Sequence, residues 1–307
     1  MDFMKQFETH ATALLQIASF VTWIDVFVCQ AHNAIKYNYC RPSLVPATDK
    51  SYVRTTGLRH CLIEHLQTRE VYVANDVELG DGADGALLYG TNAVGKTSLI
   101  RALGIACVLA QSGMFVPASS FETSPYSSLF TRILGNDNLF KGMSTFAVEM
   151  SELRTILRLA DAKSLILGDE LCSGTESDSA LSIFTAGVEA LARRGSSFLF
   201  ATHFHQLVDL DEIKALHNLR MFHMSVSYDA AAQKLIYDRK VKSGPGDNMY
   251  GLEVCKSLQL PADFLERAHD IRMKYRPATK PVSSLGTSRY NSKKVVGMCE
   301  LCEKSPA

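Results

Sequence analysis

The chain carries no net charge, no internal repeat and no uninterrupted apolar run of the roughly 18–20 residues a membrane span needs. The last of these absences gives no expectation of a membrane span. Its first ten residues, Met1–His10, contain Asp2 and Glu8 and no apolar stretch, so they do not read as a signal peptide. With 47% hydrophobic and 21% charged residues, the composition is that of a globular protein and not of a disordered, collagenous or disulfide-knotted one. At about 100–200 residues per domain, the 307 residues amount to one large domain or a domain with appendages.

Acid is missing from one stretch. From Ile271 to Met298 there are seven basic residues (Arg272, Lys274, Arg276, Lys280, Arg289, Lys293 and Lys294) and no Asp or Glu. Subtracting these seven from the 32 Lys and Arg leaves 25 basic against 32 acidic residues elsewhere, a net charge of −7. A basic tail therefore follows an acidic body, and the body alone does not read as a free-standing nucleic-acid binder. Of the eight cysteines, Cys29, Cys40, Cys61, Cys107, Cys172 and Cys255 are scattered among apolar or helical residues. They read as reduced core thiols, which points to a reducing intracellular compartment. Between cytoplasm, nucleus, viral factory and organelle the sequence makes no choice.

The first 38 or so residues predict one long helix, since Leu14, Leu15, Ala18, Val21, Ile24, Val28, Ala31 and Ile35 recur at helical spacing. Tyr39-Cys40-Arg41-Pro42 is expected to end it, because a residue before proline disfavours the helical region. Strands and turns are expected up to about Gly85. Apolar runs at Ala86–Tyr89, Ser164–Gly168 and Ser196–Ala201 then read as buried strands alternating with helices, the pattern of a largely parallel α/β sheet. Ligands bind such sheets at the carboxyl edge. Leu252–Leu258 and Ala262–Arg276 predict two helices broken at Pro261, and 277–298 reads as a basic linker rich in Pro, Ser and Thr.

The strongest chemical signal is Gly90-Thr91-Asn92-Ala93-Val94-Gly95-Lys96-Thr97, which fits G-x-x-x-x-G-K-[ST] between a strand and a helix that starts near Ser98. Gly90 and Gly95 let backbone N–H groups close around phosphate oxygens, and the following helix presents its positive dipole end to the anion. In that pattern Lys96 reaches the β- and γ-phosphates and Thr97 ligates Mg²⁺. The second signal is Leu165-Ile166-Leu167-Gly168-Asp169-Glu170, in which Asp169 is placed to bind Mg²⁺ and Glu170 to polarise the attacking water. Third, His203 in Ala201-Thr202-His203 falls at another strand end, within reach of the γ-phosphate or the water. His205 reads as surface or supporting. The stretch Gly142–Met150 could simply cap a helix running to Leu159, with Ser144 or Thr145 as the capping residue.

Taken in order, these segments resemble the MutS family of DNA mismatch-recognition ATPases, over about residues 1–276. The similarity is to the family's carboxyl-terminal ATPase domain, of the ABC class of P-loop NTPases. The resemblance implies a fold of mostly parallel sheet with flanking helices, preceded by a lever-type helix (1–42) and followed by a helix-turn-helix dimerisation element (251–276), with the ATPase domain itself at 43–250. Tyr72, in Tyr72-Val73-Ala74-Asn75-Asp76, resembles the aromatic that stacks on adenine. Asn92 and Ser98 fall with the other phosphate-loop residues of the ATP/ADP site. Ser144, in Gly142-Met143-Ser144-Thr145-Phe146, is similar to an ABC signature serine that reaches the γ-phosphate of the other subunit, which implies a homodimer or a MutS-like heterodimer.

Three departures qualify the resemblance. Val94 stands where the family usually has a first glycine, and Leu171-Cys172-Ser173-Gly174-Thr175-Glu176 resembles the divergent branch of giant viruses and organelles. In that branch an HNH nuclease can follow the ATPase. Cys299-Glu300-Leu301-Cys302, in the terminal segment 299–307, is then half of a zinc knuckle or a pair of free thiols on a basic tail. Thirdly, no mismatch-reading module precedes the helix, so duplex DNA is expected to be held mainly by domains outside this sequence. The function implied is a nucleotide-gated dimeric DNA clamp with Mg²⁺-dependent ATP hydrolysis. The alternatives are a regulatory ATPase of a nuclease fusion and an ATP-dependent dimerisation switch with little turnover. No membrane partner is expected.

Overall fold

The computed structural model describes residues 2–46, 49–66, 71–133, 145–172, 174–229, 234–246, 251–275, 287–288 and 291–295. They divide into two compact units, Met1–Tyr250 and Gly251–Ala307. The first begins with helices α1 (Asp2–Thr9) and α2 (Ala11–Tyr37), followed by β1 (Ser43–Leu44), β2 (Tyr52–Leu58), the short helix α3 (Ile63–Leu66) and β3 (Asn75–Leu79). Then come β4 (Gly85–Tyr89), α4 (Lys96–Gln111), β5 (Ser120–Ser124), β6 (Ser128–Arg132), α5 (Thr145–Leu159), β7 (Ser164–Asp169), α6 (Ser177–Arg193) and β8 (Ser197–Ala201). A 3-10 turn at His205–Asp209, α7 (Asp211–Lys214), β9 (Leu219–Asp229) and β10 (Lys234–Ser243) complete it.

The central sheet has six strands in the order β10-β9-β4-β8-β7-β6. All neighbours are parallel except β10, which pairs antiparallel with β9 at the edge. Strands β4, β7 and β8 are buried along their whole length. Successive side chains leave a strand on opposite faces, and the core divides accordingly. Ala86, Leu88, Leu165, Leu167, Leu199 and Ala201 join one cluster with α4, whereas Leu87, Tyr89, Ile166, Phe198 and Phe200 join another with Ala180, Phe184 and Val188 of α6. Both faces are thus covered, which is why these strands read as continuous apolar runs. Register aligns the strand ends: Leu88 and Asp169 each pair with Ala201, so the three loops that follow start level with one another.

Sequence reading anticipates this sheet but not a second one. Strands β1, β5, β2 and β3 form a four-stranded sheet, antiparallel apart from the β1–β5 pair. Val53, Leu58, Leu79 and Phe121 from it enter the same cluster as α4. Close packing at the start of β4 depends on Gly85, where an added Cβ would lie 1.9 Å from the Phe198 ring. Gly85→Ala is therefore expected to destabilise the unit by about 1–3 kcal/mol, the usual cost of overpacking, read as a lower denaturant midpoint with an unchanged slope.

The amino-terminal segment differs from the expectation of one helix. It breaks at His10 into α1 and α2. Helix α2 also ends before the proline takes effect. Asn38 adopts a left-handed conformation (φ 52°, ψ 53°) and returns its N–H to Ala34 O. Arg59 Nη2 then donates to the carbonyls of Tyr37 (2.8 Å) and Asn38 (3.1 Å), and Arg59 Nε bonds Glu64 at 2.7 Å. A side chain 22 residues away thus satisfies helix-end carbonyls that would otherwise be orphaned. Helix α2 is also long and apolar enough, by length and composition, to cross a membrane, with none of its residues buried. This corrects the expectation that no stretch qualifies. Polar residues such as Thr22, Asp25 and Gln30 interrupt each apolar run without lowering the average enough to remove the signal.

Of the six described cysteines, all free thiols, only Cys107 and Cys172 are buried, and Cys29 is exposed on α2. The expectation of core cysteines therefore holds for two of them. In the second unit, α8 (Gly251–Ser257) and α9 (Ala262–Tyr275) are separated around Pro261. The segment read as a linker contains a short antiparallel ribbon, β11 (Thr287–Ser288) with β12 (Asn291–Val295).

Candidate functional site

Three adjacent strands deliver the chemistry to one edge. The loop after β4 carries Gly90–Gly95, the end of β7 carries Asp169 and Glu170, and the loop after β8 carries His203. The loop before α4 is built from unusual backbone conformations: Gly90, Ala93 and Gly95 have φ of 149°, 64° and 113°. At Gly90 a side chain would be crowded as well, since an added Cβ would sit 3.0 Å from Met224 O. Val94 is not among the positive-φ residues, and its side chain is fully buried in the cluster that includes Leu99 and Met224. The side chain at the departure, Val94, is thus accommodated in the core beneath the loop.

Lys96 opens α4 and is buried, with Nζ donating to the carbonyls of Gly90 (2.7 Å) and Thr91 (2.9 Å). Burial lowers its pKa, and the nearby Glu170 and Asp169 carboxylates oppose that shift. A desolvated ammonium bonded to neutral carbonyls favours the arrival of an anion. His203 Nε2 lies 3.5 Å from Lys96 Nζ, 3.0 Å from Asn92 Oδ1 and 2.7 Å from Glu170 Oε1. Glu170 itself takes a left-handed conformation (φ 52°) and anchors its N–H on Ala201 O at 3.0 Å. The carboxylate, the imidazole, the Asn92 amide and the lysine therefore form one connected network across three loops. His205 stands outside it, with its ring 4.9 Å from that of Tyr89.

Thr97 Oγ1 donates to Asp169 Oδ2 at 2.5 Å. Asp169 is buried, and its Oδ1 has no hydrogen-bond partner among the described residues. A hydroxyl, a carboxylate and an unsatisfied carboxylate oxygen beside a phosphate loop are hard oxygen donors, and Mg²⁺ typically takes one or two carboxylates together with substrate phosphates. The donor set fits that ion. Among the described residues no cluster of three or more His, Cys, Asp or Glu side chains forms a separate metal site.

Tyr72 lines a cavity of about 130 Å³ together with Ile63, Val73, Gly95, Ser98 and Arg239. Its hydroxyl pKa is pushed up to about 12, by burial first and then by Glu64, with Arg239 opposing. The structure therefore brings Tyr72 and Ser98 to the same phosphate loop that holds Lys96. Arg239 is a residue the sequence analysis misses. It occupies an irregularity in the β9–β10 pairing, has φ of 55°, and is held by Asn75, which donates to Arg239 O (3.0 Å) and accepts from Val241 N (2.8 Å). No sequence signal marks it, since 164 residues separate it from Asn75. Ser144, Cys299 and Cys302 lie outside the described residues.

The sequence profile of a family described as MutS domain V matches residues 86–276. A putative DNA mismatch repair protein, a mutS homologue of Acanthamoeba polyphaga mimivirus, is 34% identical over 336 aligned residues, covering 98% of this chain and 30% of that protein. The mitochondrial DNA mismatch repair protein mutS homologue of Sarcophyton glaucum is 37% identical over 311 residues, again 98% of this chain and 30% of the relative. The DNA mismatch repair protein MutS of Chlorobaculum parvum is 37% identical over 267 residues, 85% of this chain and 29% of that protein. The chain thus spans about 30% of the length of these relatives, and a giant-virus and a mitochondrial homologue are among them. On this match, and with a phosphate loop, paired acids and histidine gathered at one sheet edge, the chain belongs to the MutS family, and its residues 86–276 are that family's domain V.

Proposed function

We propose that the chain binds ATP with Mg²⁺ and hydrolyses it, as the nucleotide-driven part of a protein that recognises mismatched or damaged duplex DNA and closes on it as a dimer. The observation that carries this reading is the network Lys96–His203–Glu170 with Asn92, gathered beside the loop Gly90–Thr97, where a bound nucleotide would present its γ-phosphate. Lys96 exchanges its carbonyl partners for phosphate oxygens. In this reading the base enters the cavity lined by Tyr72, Arg239, Ser98 and Gly95 and stacks on Tyr72. Thr97 and Asp169 would hold Mg²⁺, which would supply charge neutralisation at the nucleotide phosphates. Glu170 accepts the proton of the attacking water, and His203, hydrogen-bonded to Glu170, fixes its orientation and faces the transferred phosphoryl group.

Ser144 immediately precedes α5 in sequence and, on the family resemblance, closes on the γ-phosphate held by a partner subunit. Two shared nucleotides then favour the closed dimer over the open one, and hydrolysis reverses the bias. In this reading the apolar helix α2 is covered by protein, because Asp25, Gln30 and Asn33 within it suit a helix–helix contact better than hydrocarbon.

Light scattering and phosphate release, measured on the chain with and without ATP–Mg²⁺, test this reading. ATP-dependent dimerisation with turnover, both impaired by Ser144→Ala, is the expected result. A chain that neither binds nor hydrolyses ATP would overturn it. Tyr72→Ala should weaken ATP binding about tenfold, in line with about 1–3 kcal/mol for one base–aromatic stack, and leave turnover at saturating ATP within about twofold. Titration of a fluorescent ATP analogue beside a saturation curve separates the two effects.

A further inference from the structure

One buried carboxylate takes no part in the chemistry described so far. Glu149, on α5, is 4% exposed and lies under the turn that follows Glu170. Its Oε1 meets Arg132 Nη2 at 3.5 Å, and Arg132 Nε, at the end of β6, bonds Glu152 Oε2 at 3.0 Å. Glu149 Oε2 has no fully formed hydrogen bond among the described residues, although the Gly174 amide is near enough to favour the charged form. Burial still raises the Glu149 pKa, against the pull of Arg132. Isolated in that environment the carboxylate is costly, and the arrangement persists only if the surrounding groups hold it.

The turn above it has two left-handed residues, Glu170 (φ 52°) and Cys172 (φ 66°). Gly174 closes the turn onto the first residues of α5: a Cβ there would lie 3.3–3.4 Å from Phe146 Cβ, Cα and N. Cys172 is buried, and burial first, then the Glu149 charge, pushes its thiol up to about 11. Glu170 and Cys172 thus hold strained backbone conformations, and Gly174 is seated on α5 through Phe146 and Glu149, with Arg132 behind it.

We infer that Glu149 and Arg132 are positioning residues for Glu170: they hold Cys172 and Gly174, just past Glu170, against α5, so that the placement of α5 sets the aim of the water-activating carboxylate. The inference rests on the proposed role of Glu170. It adds that the helix following Ser144 and the hydrolytic carboxylate move as one piece, which gives closure at the shared nucleotide a direct path to the water. No contact between Glu149 and the nucleotide is needed. The effect travels through the turn.

The test is a double-mutant cycle on the chain, with single-turnover phosphate release and equilibrium nucleotide binding as paired readouts. Glu149→Ala should slow the chemical step about tenfold or more, as expected for a misplaced reacting group, with ADP affinity unchanged within about twofold. Glu149→Gln, which keeps size and an acceptor, should recover part of that loss, and Arg132→Met should mimic Glu149→Ala. In a Glu170→Gln background, Glu149→Ala should cost nothing further, because its effect acts through the carboxylate already removed. Amide hydrogen exchange in the nucleotide-free protein gives a readout that needs no turnover: residues 170–176 should exchange faster in Glu149→Ala while 90–97 stay unchanged. Equal slowing by Glu149→Ala in both backgrounds, or unchanged exchange at 170–176, overturns the inference. If Glu170→Gln alone leaves phosphate release unaffected, the water-activation reading fails instead, and the exchange experiment still decides whether Glu149 holds the turn.

Discussion

Glu170→Gln is expected to slow ATP hydrolysis by about two orders of magnitude while ATP still binds, within the usual range for losing a general base. The substitution removes the proton acceptor and little else. Glutamine keeps the size of the side chain and an amide able to bond His203, whose Nε2 now lies 2.7 Å from Glu170 Oε1. The left-handed backbone at 170 and the anchor from its N–H to Ala201 O do not depend on the side chain's charge. Loss of a negative charge facing the γ-phosphate should, if anything, favour the ATP-bound form. The variant should therefore accumulate with ATP bound, as a longer-lived closed dimer in light scattering. Single-turnover phosphate release checks the rate, and ATP titration checks the affinity. Turnover within twofold of the parent would remove Glu170 from the role assigned to it, and His203 would then be the group to examine.

The central sheet and its site are legible in the sequence for a physical reason. A strand buried on both faces must be apolar throughout, so Leu87-Leu88, Leu165-Ile166-Leu167 and Phe198-Leu199-Phe200 stand out. The polar residues just past them are then forced to the carboxyl edge, where Lys96, Asp169, Glu170 and His203 meet. The four-stranded sheet is not legible in the same way. Its strands bury one face, and β2 runs Tyr-Val-Arg-Thr-Thr-Gly-Leu, with Arg54 turned outward to Glu78 and Glu122. Its pairing partner β5 also lies beyond the whole of β4 and α4 in the chain, a separation that local patterning does not reveal. Arg239 and Glu149 were missed for the related reason that their roles are created by contacts across distant segments, to Asn75 in one case and to the turn at Gly174 in the other. The end of α2 shows the opposite error, a correct boundary region with the wrong cause. Pro42 suggested the stop, but the left-handed Asn38 and the reach of Arg59 make it.

Lys96→Met should abolish measurable ATP binding at micromolar nucleotide and leave the fold intact. The ammonium is buried and bonded to the carbonyls of Gly90 and Thr91, with His203 Nε2 at 3.5 Å. Burial pulls its pKa down, so the folded state works against the charged form, and removing the charge removes that cost while forfeiting two hydrogen bonds. These effects oppose one another, and the midpoint of thermal unfolding should shift by no more than about 3 °C, equivalent to roughly 1 kcal/mol. Methionine keeps the length of the stem that packs at the start of α4. Binding has no such offset. A phosphate entering the loop loses a desolvated cation, and truncating one partner of a buried charge pair costs about 2–5 kcal/mol, or roughly 30- to 5,000-fold in affinity. Isothermal titration with ADP and ATP, beside calorimetric unfolding of the same preparation, gives both numbers. A variant that unfolds well below the parent would mean that Lys96 organises the loop before any nucleotide arrives. A variant that binds ATP as the parent does would mean that the loop's backbone N–H groups alone hold the phosphates, and that the buried ammonium serves only Glu170 and Asp169 behind it.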